Sequence, residues 1–184
     1  MAVTTLTPDR YTIGLNNYTA VPYNKNGSPL IGGYNRVSYV WEVFINPDYS
    51  SISGSTVSAV SINVTYSANT TTSNHTLTVR PQDKGTWTDN GTNPYWSTFA
   101  TTPWNAELSS VASISGTGTK VIPTSANLVS HVQSYVSGTY PDSTYKGLIL
   151  TQYTEFFGWY ATISNVTMDI TYTSGSTRRR INIT

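Results

Sequence analysis

Residues Thr119–Leu150 read TKVIPTSANLVSHVQSYVSGTYPDSTYKGLIL, and this stretch decides the fold. Leu128, Val129, Val132, Tyr135 and Val136 stand at i, i+1, i+4, i+7 and i+8, which is one face of an α-helix. Thr124 or Ser125 can cap its start, because a side-chain oxygen accepts from the first amides that lack a carbonyl partner. Gly138 stands where a left-handed residue closes a helix, and Pro141 prevents its resumption. The spacing therefore predicts a helix over 125–137. Lys146-Gly147-Leu148-Ile149-Leu150 follows, an apolar run too short for a helix and read as a strand buried on both faces.

Outside this stretch the apolar period is two. Val60, Ile62, Val64 and Tyr66 alternate with Ser61, Asn63 and Thr65, and Val57 and Ala59 fall out of phase, which predicts a β-bulge near Ala59. Tyr39–Ile45 carries apolar residues on both faces and is placed centrally. His75–Arg80 turns Leu77 and Val79 inward, and Glu107–Ser115 is a weaker strand. Trp159, Ala161 and Ile163 form one alternation; Val166, Met168, Ile170 and Tyr172 form the last. Trp41 and Trp159 are in phase with strand interiors. Residues 1–35 are turn-rich, punctuated by Asn16-Asn17 and Asn26-Gly27-Ser28-Pro29, with Tyr11–Leu15 a short extended piece. About eight strands with one helix make an all-β protein, a jelly-roll-type β-sandwich carrying one short amphipathic helix.

Composition agrees with one domain over residues 1–177. Only 10% of the chain is charged, 38% is hydrophobic, and 14 Tyr, 5 Trp and 4 Phe exclude a disordered chain. Residues 1–177 carry seven Lys and Arg against nine Asp and Glu, a net of −2, so no nucleic-acid partner is expected of the body. The three remaining cations, Arg178, Arg179 and Arg180, open a basic C-terminal arm over 178–184. There is no cysteine, hence no disulfide and no thiolate metal site. No run approaches the ~20 apolar residues that span a bilayer, so no membrane partner is expected. MAVTTLTPDR lacks an apolar signal core, which predicts a protein made and assembled in a cytoplasm.

Four blocks in order carry a family resemblance. They are Asn26-Gly27 and Arg36 leading into Tyr39–Ile45, then SAVSINVTY (58–66), then Arg80 followed by Trp87-Thr88-Asp89. The last is NLVSHVQSYVSG running into KGLIL, closed by VTMDITY (166–172). Over roughly Tyr11–Thr173 the chain resembles the DNRLRE-type sandwich domains, related to certain carbohydrate-binding modules of bacterial secreted proteins. The resemblance implies a jelly-roll sandwich and, in some members, glycan binding; it implies no catalytic residues. The family usually has Glu at Asp89 and Trp at Tyr135.

No enzyme is expected. A nucleophilic serine would need His75 or His131, and both histidines fall beside apolar faces. Neither a G-x-S-x-G elbow nor an H-E-x-x-H pair occurs. Asp83 and Asp89, at and near the start of an aromatic-rich loop over 84–104, are the candidate carboxylate pair, but beside turn residues they read as acceptors for backbone amides. No cofactor is expected; a structural calcium would draw on Asp48, Asp83, Asp89 and Asp142, which show no EF-hand spacing. In the same loop Trp87 and Trp104 read as core, whereas Tyr95 and Trp96, with Asp89, are the candidates for stacking on a glycan.

Ile181-Asn182-Ile183-Thr184 alternates after the arginines, so Arg178, Arg179, Arg180, Ile181 and Ile183 are the candidates for docking a partner by strand addition. A surface rich in Ser, Thr, Asn and Tyr with a docking arm points to a non-enzymatic virion component, a bacteriophage head-decoration, head-fibre or tail protein. Its partners would be other virion proteins or copies of itself, with surface glycans as a second class. The alternative is a free carbohydrate-binding protein or adhesin.

Overall fold

The computed structural model describes residues 1–16, 19–20, 30–34, 39–69, 75–81, 107–139, 147–153 and 159–175. Eleven strands lie among them: β1 (Ala2–Leu6), β2 (Asp9–Asn16), β3 (Thr19–Ala20), β4 (Leu30–Tyr34), β5 (Tyr39–Asn46), β6 (Thr56–Asn69), β7 (His75–Pro81), β8 (Ser109–Ile114), β9 (Gly118–Ile122), β10 (Leu148–Tyr153) and β11 (Trp159–Thr173). One α-helix, α1 (Ala126–Val136), stands between β9 and β10, and a 3₁₀ turn, Ser50–Ile52, follows β5. Every strand pair is antiparallel.

The ladders form two sheets. One runs β1-β11-β6-β9, and the other runs β8-β7-β10-β5-β2-β3. The short β4 joins them at a corner, pairing with β5 through Gly32–Tyr34 and with β11 through Leu30–Gly33. The chain is thus an all-β sandwich with one helix. Val60, Ile62 and Val64 from one sheet and Val43, Leu77 and Leu148 from the other are fully buried in a single apolar cluster. Each contributes about 2 kcal/mol by leaving water.

The helix closes the cluster as its periodicity predicts. Leu128, Val132 and Val136 are buried, with Val129 and Tyr135 packed at the margin. Ser125 is the N-cap: its Oγ accepts from the Leu128 amide at 3.0 Å and donates to the Leu108 carbonyl, tying the helix to the residue that leads into β8. At the other end Gly138 takes φ +68. The Gly138 and Thr139 amides then donate to Tyr135 and Ser134 at 3.0 and 2.9 Å, satisfying carbonyls left over by the last turn. The Gln133 amide fastens α1 to the start of β6, accepting from Val57 N at 2.6 Å and donating to Ser55 O at 3.1 Å.

β10 is central, between β5 and β7. Leu148 and Leu150 face the cluster, and Ile149 on the other face is buried beside its cross-strand partner Phe44. The expected bulge is present: Thr171 pairs with Ala59 and Tyr172 with Val57, leaving Ser58 as the extra residue. Two expectations are corrected. The count of about eight strands missed β1, β3, β4 and β9. The last two alternations belong to a single 15-residue strand. A register shift at Ser164 resets its phase, so Ile163 and Val166 both point into the core. The side chains of Trp41 and Trp159 lie outside the described residues. Among the described residues, no helix is long and apolar enough to cross a membrane.

Candidate functional site

Of the residues singled out by sequence, Asp89, Tyr95, Trp96, Arg178, Arg179, Arg180, Ile181 and Ile183 lie outside the described residues, as do Asp83 and Asp142. Asp48 is described, and its carboxylate accepts from the Ser50 amide at 2.9 Å, the loop-acceptor role. Among the described residues no three His, Asp or Glu side chains gather where a metal could sit.

An aromatic cleft stands out at the helix. The rings of Tyr49 and Tyr135 stack with centroids 5.9 Å apart and planes 14° apart. His131 meets Tyr135 edge-on at 5.1 Å and 82°. A cleft of about 80 Å³ opens beside the pair, lined by Tyr49, Ser50, Ser53 and Tyr135. Tyr49 is 4% exposed, and burial pushes its phenol well above the usual tyrosine range. Its pairing joins a turn to a helix far away in sequence, so no local pattern could have announced it. Serines near the helix serve the backbone: Ser134 Oγ donates to His131 O at 2.6 Å and Ser109 Oγ donates to Pro123 O at 2.6 Å.

The second feature is the outer face of the β1-β11-β6-β9 sheet. Thr5 Oγ1 donates to Asp169 Oδ1 at 2.6 Å, and Asn63 Nδ2 donates to Asp169 Oδ2 at 2.8 Å and Thr167 Oγ1 at 3.2 Å. Thr65 and Thr119 share a hydroxyl bond at 3.0 Å. Side chains from all four strands are thereby cross-linked into a hydroxyl- and amide-rich surface that presents the single carboxylate of Asp169. Lys120 on β9 turns its amine onto Ser115 O and Thr117 O, at 2.5 and 3.3 Å. The large apolar side chains exposed among the described residues are Met1, Val3 and Val121, at 96%, 68% and 47%, on or beside the outermost strands β1 and β9.

His75 sits at the start of β7 in the inward phase, as the sequence predicts, and is 7% exposed. Burial lowers its pKa below the ordinary 6.5. The unfolded chain therefore takes up a proton that the folded one resists. Stability from this group is full above about pH 6.5 and is lost as pH falls through the folded-state value. Urea midpoints measured from about pH 8 down to about pH 5.5 should decline, and His75→Leu should flatten that decline. An equal slope in parent and variant would remove His75 from the account.

No family model matches the chain, and no curated protein matches it.

Proposed function

We propose that the chain is a non-enzymatic structural component of a virus particle, a bacteriophage head-decoration, head-fibre or tail protein that docks onto other virion subunits after assembly in the host cytoplasm. The observation that carries the reading is the outer face of the β1-β11-β6-β9 sheet. Its side chains are already fixed to one another by hydrogen bonds, so docking there costs little further ordering. It is poor in charge, the property that marks the centre of permanent interfaces.

Strand order supports the jelly-roll part of the reading. With β2, β3 and β4 set aside as additions, the neighbours are β1-β11-β6-β9 and β5-β10-β7-β8. The first strand lies beside the last, as in the double-sheet barrels found in viral capsid and lectin domains. The same fold leaves the carbohydrate reading as the second choice, since fold alone does not assign function. That reading is favoured by the cleft beside Tyr135, where the exposed Ser50 and Ser53 could meet sugar hydroxyls. The DNRLRE-type resemblance belongs to this second choice as well.

The test is sedimentation. In density gradients of the native source, the protein should migrate with particles and remain with them through a second gradient. Recovery of all of it as free protein at the top, joined to specific glycan retention, would replace the virion reading with the adhesin one.

A further inference from the structure

We propose that the outer edge of β1 is an acceptor strand, and that it receives the C-terminal segment Ile181–Thr184 of a second copy of this chain. This rests on the docking reading above and names one partner for it. β1 pairs with β11 along one side, Ala2 opposite Tyr172 through Leu6 opposite Met168. Its other side has no ladder partner among the described residues. β9, the opposite end of the same sheet, also has a single ladder partner among the described residues, but the chain leaving it is tied back to β8, where Ser109 Oγ donates to Pro123 O. On β1 the apolar Val3 is 68% exposed and Met1 beside it 96% exposed. An open edge with exposed valine is what an added strand covers.

The donor is indicated by where the chain leaves the sandwich. β11 ends at Thr173, next to the start of β1. At Gly175 the backbone passes so near Gly54 that an added Cβ would lie 2.6 Å from the Gly54 carbonyl oxygen. The chain therefore leaves the sandwich beside Gly54, and residues 176–184 span about 30 Å when extended. Because β1 and β11 are antiparallel, a segment leaving β11 must reverse to lie along its own β1 and would arrive parallel to it. A second copy can present the segment antiparallel, the more stable pairing.

Composition sets a register. With Ile183 beside Val3, Ile181 falls beside Thr5, and the arginines run on toward Thr7 and Asp9, flanked by Asp169 across from Thr5. Ile183 meets Val3, and Arg180, Arg179 and Arg178 fall beside Leu6, Thr7 and Pro8, along the strand between Asp169 and Asp9. Arginine suits that end because its fork can take a carboxylate bidentately.

The chain contains no cysteine, so paired cysteines test this in purified full-length protein without particles. A Val3→Cys copy mixed with an Ile183→Cys copy should form a disulfide-linked heterodimer under mild oxidation. Directly opposite residues in an antiparallel pair, above all in a non-hydrogen-bonded one, come near the Cβ separation a disulfide needs. Substituting Val121→Cys for Val3→Cys should slow linkage by about tenfold or more, since Val121 is the exposed valine of the other outermost strand and shares its reactivity without its register. Equal linkage at both valines, or no heterodimer, would overturn the proposal. So would a Val3→Cys/Ile183→Cys double variant that links only within one monomer, which would assign the edge to the chain's own tail. Failure here with particle co-sedimentation intact leaves the virion reading standing; the reverse outcome removes that reading and leaves self-association.

Discussion

Val132→Asp is expected to remove a large share of the protein's stability. Val132 is fully buried in the cluster that joins α1 to both sheets. A carboxylate there has no cation to pair with among the described cluster residues, and it must be buried charged or protonated at a cost. Uncompensated buried charge costs about 3–5 kcal/mol, against a total stability of about 5–15 kcal/mol for a domain. The loss of valine packing adds to it. Val121→Asp is the matched control: the same change at a residue 47% exposed should shift stability by no more than about 0.5 kcal/mol. Urea denaturation followed by tryptophan fluorescence reads both. A Val132→Asp midpoint equal to the control's would mean that the helix does not close the core.

Gly147→Ala carries the second large effect, and two opposing terms decide its sign. Gly147 is buried immediately before β10, and a Cβ there would overlap the ring of Phe44, itself 2% exposed. Removing a glycine from the unfolded ensemble would stabilise by about 0.4–1 kcal/mol if the site could accept a methyl. Forcing a buried ring aside costs about 1–3 kcal/mol. Overpacking wins, and a net loss of about 1–2 kcal/mol is expected in the urea midpoint. Phe44→Leu in the same background should recover part of it by vacating the ring's outer edge. If Gly147→Ala were instead more stable than the parent, the Phe44 contact would be misplaced.

Much of this architecture was legible because the residues announce their own surroundings. The spacing from Leu128 to Val136 can bury one helical face and little else, and the N-cap and the left-handed Gly138 bound it from both ends. Leu148-Ile149-Leu150 could be buried on both faces only in a strand with neighbours on either side, which is where β10 lies.

What escaped was structure whose cause lies elsewhere in the chain. Ala2–Leu6 buries little and so carries no alternation; it is a strand because β11 offers it an edge. β4 contains Gly32 and Gly33 and reads as a turn, yet it bridges two sheets. The phase change at Ser164 looks like a break between strands, because a period-two reading cannot distinguish a bulge from an end.

The candidate site was less legible still. Asp169 appears in the sequence as one outward residue of an alternating strand. Only the register that brings Thr5 and Asn63 to it makes it the centre of a hydrogen-bonded surface. Tyr135 was counted as part of the helix's apolar face, and its partner Tyr49 had no periodic signal at all. The aromatic loop and the arginine arm, Tyr95, Trp96 and Arg178 among them, remain sequence-level candidates for glycan and partner contact.

Cryo-electron microscopy of particles purified from the native source tests the virion role most directly. A virion component should give density fitting this sandwich at a repeated, symmetry-related surface position, with the β1-β11-β6-β9 face or the β1 edge turned toward a neighbouring subunit. Particles whose surface density is fully explained by other chains, from preparations in which this protein is abundant but free, would contradict it.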